Sequence, residues 1–404
     1  FSRRIGLAQN KEGALIQNEI IGGLRLSGKI TEDWRLGALY IQTAADADNE
    51  IAAFNNLMTT VQRKVGKRSN VNFFLVNRQA TARERYRSTD QEYNRVIGAD
   101  YNLASADNIF RGRLHVHKSL QPGDHKGNFS TQAVFFYNPR EWLVITDISL
   151  VDKDFRADLG FVPRTDVIRL GQAVQRIFYP QKSIFNTHRL MLLLLNDHKP
   201  SESFRKTDHT YSLRYEAQFR DLANASIYLS KIYTYLNFSF DPSQKEESIP
   251  LPRNTFYNYN QIQLSYESNN KKLLTYGIDI TLGQFFNGSI HSFSTDINYR
   301  MQPYANIGFN FRYDSINLPA PYSSNKLLLL SSKLELTFTK KLFWNTLIQY
   351  SSQRENVGIN SRLQWRFAPL SDLYFVYNDN YISTNQLIPR FRSVNLKLTY
   401  WINL

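Results

Sequence analysis

His115 and His117 stand two residues apart in a stretch where Phe110, Leu114 and Val116 alternate with Arg111, Arg113 and the two histidines. A period of two puts both imidazoles on one face of a β-strand, together with Arg111 and Arg113. Two imidazoles so spaced can hold one metal ion, but the sequence sets no third ligand beside them, so no metal and no cofactor is assigned. Asp152, Asp154 and Asp158 fall within seven residues of each other. A helix-flanked calcium loop needs a glycine at its sharp turn and a distal bidentate glutamate, and neither is in place, which leaves a solvated loop. No spacing singles out one of the many serines as a nucleophile, and no glycine-rich phosphate loop or dinucleotide fingerprint occurs. The chain is therefore expected not to be an enzyme.

The elements that position these residues are strands. From Val394 to Leu404 the residues Val394, Leu396, Leu398, Tyr400, Ile402 and Leu404 share one face, and Asn395, Lys397, Thr399, Trp401 and Asn403 the other. This is the alternation of a strand with one oily side. The same reading yields about 22 candidate strands, the first near 1–7, the next near 19–30 and the last near 391–404. Their lengths, roughly 10 to 14 residues, exceed the five or six usual in soluble sandwiches and suit tilted strands crossing an apolar layer. Connections alternate between short and long, as in an up-and-down barrel with short turns at one rim and longer loops at the other. The long ones include 81–91, 153–164 and 236–255, while two connections on the long-loop side, at 285–287 and 353–355, are short. Aromatic residues gather near strand ends, Phe135 to Tyr137 and Trp344 among them, as in interfacial girdles.

Composition fits that reading. The longest apolar run, Leu190–Leu195, is far short of a spanning helix, which needs about 20 residues. Mean hydropathy is −0.43, as expected where lipid-facing and inward residues alternate. There is no cysteine. The fold class expected is all-β: a transmembrane, antiparallel, up-and-down outer-membrane β-barrel of about 22 strands, within roughly 18 to 22, forming a single domain over residues 1–404. With the oily parity outward, the inward parity includes Arg111, Arg113, His115, His117, Arg214, Arg220, Arg362 and Arg366. Formal net charge is +14, so the interior would draw anionic solutes or an acidic segment. The alternative role for these arginines is to stiffen the wall by pairing with carboxylates such as Glu216, Glu335, Asp100 and Asp279. The positive charges are spread through strands rather than gathered in a patch, so no nucleic acid is expected as partner.

Three segments carry a resemblance: Phe1–Leu7, Leu159–Arg164 (Leu-Gly-Phe-Val-Pro-Arg) and Asn360–Leu373. With them the chain resembles a family of Bacteroidota outer-membrane proteins of unknown function. In that family an N-terminal domain similar to family 9 carbohydrate-binding modules precedes a long barrel region. The resemblance implies location in the outer membrane of a Gram-negative bacterium, with outer-membrane lipids and lipopolysaccharide around the barrel. The upstream periplasmic domain is expected to be absent from this chain. Gly160, Phe161, Pro163 and Arg164 then form a mouth or plug loop: Gly160 supplies backbone freedom, Pro163 rigidity, and Phe161 an apolar face to tuck into the barrel mouth. The loop 236–255, with Pro242, Pro250 and Pro252, is expected to fold over or into the opening. Two functions follow: a channel or transporter-like barrel for solutes such as saccharides or peptides, or a structural barrel, its lumen plugged, in a larger complex with a lipoprotein or another outer-membrane protein.

Overall fold

The structure is a computed structural model that describes residues 4–10, 12–81, 92–123, 125–245, 247–383 and 386–401. Phe1 to Arg3 of the first motif, nearly all of the 81–91 loop, and Ile402 to Leu404 of the terminal alternation lie outside the described residues. Strands are numbered β1 to β23 in chain order. The first two, β1 (Leu7–Gln9) and β2 (Leu15–Gln17), form a separate hairpin with Leu7 opposite Gln17. Its turn is closed by the Asn10 side-chain oxygen, which accepts from the amide of Ala14 at 2.8 Å. Of the candidate strand near 1–7, the described residues 4–6 form a turn that leads into this short hairpin beginning at Leu7.

The remaining strands, β3 (Ile20–Lys29) to β23 (Leu387–Thr399), follow one another in sequence order, and their hydrogen-bond order closes into a barrel. Each of the other 21 candidate strands has a counterpart among these. They run from nine residues in β9 (Phe129–Tyr137) to fifteen in β12 (Phe185–Lys199). Among the described residues the only helical element is a 3-10 turn, Pro200–Glu202, and no helix is long and apolar enough to cross a membrane.

The chain divides into two compact units, one of residues 1–176 and 193–209, the other of 177–192 and 210–404. In the first, β5 (Phe54–Val65), β6 (Ser69–Ala80), β7 (Tyr93–Ala104), β8 (Phe110–Leu120) and β9 pair in turn. In the second, β15 (Thr255–Glu267), β16 (Leu274–Phe285), β17 (Gly288–Met301), β18 (Ala305–Asn317) and β19 (Asn325–Thr339) do the same. In both units the sheet has an outward apolar face that no protein covers: Leu114 and Val116 are 51% and 53% exposed, and Leu229, Phe309 and Ile348 are exposed likewise. So continuous an apolar surface costs free energy in water and none in hydrocarbon. Near the short-turn ends aromatics cluster. Phe110 lies 5.9 Å from Phe135 and 5.2 Å from Tyr137, and the Arg176 guanidinium sits 4.7 Å over the Trp142 ring. These are amphipathic groups placed where an apolar layer would meet water.

Candidate functional site

The inner face of β6, β7 and β8 is fixed by register: Asn72 pairs with Asp100, and Asp100 with His115, while Gly98 stands opposite His117. Alternation then sets Arg111, Arg113, His115 and His117 on one face with Asp100. His117 Nε2 lies 3.1 Å from Asp100 Oδ1. The Arg113 guanidinium donates to the same oxygen at 3.1 Å, and Asn72 donates to Oδ2 at 3.3 Å. The His115 and His117 rings stack with centroids 4.2 Å apart, and Phe74 meets His117 edge-on at 4.8 Å. Glycine at 98 is what admits this packing. A Cβ there would come within 2.5 Å of the His117 ring and 2.6 Å of Phe74.

Above this cluster the connection 152–166 turns onto the inner face instead of projecting away. Asn94 on β7 donates to the Arg156 carbonyl at 3.0 Å and accepts from the Asp158 amide at 2.9 Å. Ser119 on β8 accepts from the Arg156 amide at 3.2 Å, and Gln121 donates to the Asp154 carbonyl at 3.2 Å. Arg78 on β6 donates to Asp158 at 3.2 Å and lies 3.8 Å over the Phe54 ring, while Arg156 donates to the same carboxylate at 2.6 Å. Backbone groups that a loop in water would leave to solvent are thus satisfied by wall side chains. Phe155 and Leu159 are buried, and together with Met58, Phe74 and Val96 they line a cavity of about 470 Å³ that His115 and His117 also reach.

Within the Gly-Phe-Val-Pro-Arg segment the side chains behave differently from their sequence reading. Phe161 remains 79% exposed, with the Arg4 guanidinium 5.8 Å over its ring, and the buried apolar anchors are Phe155 and Leu159. Gly160 is not among the residues with positive φ; a Cβ there would lie 3.1 Å from the Ala157 Cβ, so close approach is its local constraint. Pro163 lines the cavity beside Phe161, and Arg164 donates to Asp208 at 2.5 Å.

The inward arginines divide into two groups. Arg113 pairs with Asp100, and Arg214 with Glu216 at 3.0 Å, a carboxylate that also holds Arg189 at 2.8 Å. Arg366 pairs with Asp372 at 3.2 Å. Glu335 takes Lys333 at 2.7 Å, whereas Asp279 accepts from the Ser265 hydroxyl rather than from a base. In contrast, among the described residues no carboxylate lies within ion-pair distance of Arg111 or Arg362. Arg111 lies 5.8 Å over the Phe136 ring and Arg362 6.0 Å over Tyr374. Arg220 is the first residue of the turn after β13 (Arg205–Phe219), where its amide donates to the Ile184 carbonyl at 2.9 Å. Sequence reasoning missed Arg78, Asn94 and Ser119, whose only sequence mark is inward parity near a long connection. It also missed the two-toothed grip of Arg169 on Asp197, 2.7 Å at each tooth.

Strand order, uncovered apolar face and polar inner face together define a transmembrane β-barrel. No protein-family model matches the chain, and no curated protein is similar to it. Among solved structures, the ferric-catecholate import receptor Fiu from E. coli K12 is similar at 10% identity, with 95% of this chain and 72% of that one covered and a TM-score of 0.49. The translocation pore of the P pilus usher PapC is similar at 10% identity, with 93% and 94% covered and a TM-score of 0.31. The fold assignment rests on the hydrogen-bond order of this chain.

Proposed function

We propose that the chain is an outer-membrane barrel of the Bacteroidota family it resembles, acting as a channel or transporter-like protein for solutes such as saccharides or peptides. The observation that carries the reading is the division of the inner arginines. Arg113, Arg214 and Arg366 are neutralised within the wall, while among the described residues Arg111 and Arg362 carry exposed guanidinium groups with no carboxylate in ion-pair reach, Arg362 held by the Asn345 amide oxygen at 3.0 Å. A guanidinium without a carboxylate partner on the inner face offers an anionic or hydroxyl-rich solute a planar array of donors. Outer-membrane lipids and lipopolysaccharide would surround the apolar face, and a lipoprotein or other outer-membrane protein remains a partner for the rims. The density of wall ion pairs supports a second reading, a structural barrel with its lumen filled.

Planar-bilayer conductance of the folded barrel tests the proposal. Stable steps with anion preference in a salt gradient are expected. A heat-modifiable, folded barrel that passes no current would overturn the channel reading in favour of the filled scaffold.

A further inference from the structure

The structure assigns a divalent transition-metal site to Asp100, His115 and His117 on the inner face of β7 and β8. Each residue offers one ligand atom, and the three atoms all lie within 4.8 Å of one another. His115 Nδ1 is buried with no hydrogen-bond partner, an unmet polar atom beside the other two groups. Two imidazole nitrogens and one carboxylate oxygen, with no sulfur, form a donor set suited to zinc and its first-row neighbours rather than to calcium or magnesium. Ligand atoms about a tetrahedral ion at bonds of roughly 2.0 to 2.1 Å stand nearer one another than 4.8 Å, so binding must turn the two stacked, nearly parallel imidazoles until both lone pairs aim at one point.

The surroundings have the features such a site needs. Asn72 and Arg113 already hydrogen-bond the Asp100 carboxylate and would fix its orientation from outside the coordination sphere. The missing Cβ of Gly98 leaves room for the His117 ring, and Phe74 limits its rotation. Both histidines line the cavity under the 152–166 connection, so a fourth position would open toward Phe155 and Leu159. A water molecule or an anionic donor of a solute would complete the shell there. The inference concerns the first compact unit alone and does not depend on whether the barrel conducts.

The test uses the folded, tag-free barrel in detergent, stripped with a chelator and titrated with Co²⁺ and Zn²⁺. One ion per chain is expected, with visible cobalt d–d bands displaced by zinc. His115→Ala and His117→Ala should each weaken binding by about tenfold or more, as should Asp100→Asn, while His125→Ala changes nothing. Heat-modifiable migration checks folding, and His115→Gln replaces any variant that fails to fold. A folded wild-type barrel without cobalt bands, or affinity unchanged in both folded histidine variants, would overturn the assignment.

Discussion

Two long connections, 152–166 and 237–254, are held by different kinds of anchor. The first is held by side chains that rise from the strands themselves: Arg78, Asn94 and Ser119. The second is held by itself and by neighbouring connections. Phe240 and Leu251 exchange backbone hydrogen bonds at 3.1 and 2.8 Å, and Asp241 accepts from Ser243, Ser248 and the Lys245 amide. Phe240 then packs 5.6 Å from Phe286, Asn325 donates to the Ser243 carbonyl at 2.9 Å, and Gln353 donates to Gln244 at 2.6 Å. Phe286 and Gln353 belong to the two connections that are unexpectedly short for their side of the barrel. Their shortness has a physical use, since each becomes a seat for the longer neighbour. One connection is fastened to polar side chains of the strand wall, and the other to neighbouring connections through an aromatic contact and two side-chain hydrogen bonds.

The strongest way to break this contrast is to remove the charge at the centre of the inward anchor. Asp158→Ala leaves Arg78 and Arg156 without their shared carboxylate, and the Arg78 side chain is only 23% exposed. Stranding a largely buried cation costs about 3 kcal/mol, so the segment should detach. Protease cleavage within 152–166 of the folded barrel should rise steeply, while cleavage within 237–254 stays as in the wild type. Equal cleavage of both would mean that the two connections share their anchorage.

Next in size is Asn94→Ala. It deletes two hydrogen bonds to the 152–166 backbone and strands the Asp158 amide and the Arg156 carbonyl, at a combined cost of about 2 kcal/mol. Hydrogen exchange at the amides of residues 156 to 158 should accelerate by about an order of magnitude or more. No change at those amides would assign the anchorage to Arg78 and Ser119 instead.

Asp241→Asn is the matching cut in the other connection, at roughly 1 to 2 kcal/mol because an acceptor of several bonds becomes neutral. The same group supplies a pH test. Partial burial raises its pKa, but hydrogen bonds from Ser248, Ser243 and the Ser243 and Lys245 amides outweigh burial and hold it below the ordinary aspartate value. With the folded pKa depressed, its contribution is fully present above the unfolded value and is lost as pH falls through the folded one. Proteolysis with an acid-active protease should therefore open 237–254 only well below about pH 4, and Asp241→Asn should abolish that dependence.

Much of the wall was legible in the sequence because alternation is a local property. Strands with one oily face announce themselves wherever neighbours do not interfere, and the inward parity of β8 was readable from Phe110 to Ser119. Hairpin register was less so. A turn over 104–107 would set His115 opposite Val96, whereas the observed hairpin, closed by the Ser105 amide on the Phe110 carbonyl, sets it opposite Asp100. The shift is an even number of residues, so the faces came out right and the partners did not. That is why the carboxylate beside the two histidines stayed hidden while its parity was visible. The paths of the long connections were illegible for another reason: Asn94 and Ser119 are ordinary inward residues until a distant backbone segment arrives to use them.

The smallest effect on stability falls on the arginine that no anchor uses. Arg111 and Arg113 stand two residues apart on one face of β8, and only Arg113 has a carboxylate partner. Arg113→Gln removes the guanidinium that pairs with Asp100, a residue 8% exposed, and should lower the unfolding midpoint of the barrel. Arg111→Gln strands nothing, since an exposed guanidinium over Phe136 contributes about 0.5 to 1 kcal/mol at most. Its charge is therefore free to act on whatever enters. In a salt gradient the reversal potential of the Arg111→Gln barrel should move toward zero anion preference while its unfolding midpoint hardly changes. Arg113→Gln should show the opposite balance, because the charge lost there was already matched by Asp100. If both substitutions shift selectivity alike, pairing within the wall does not decide which arginines face the solute.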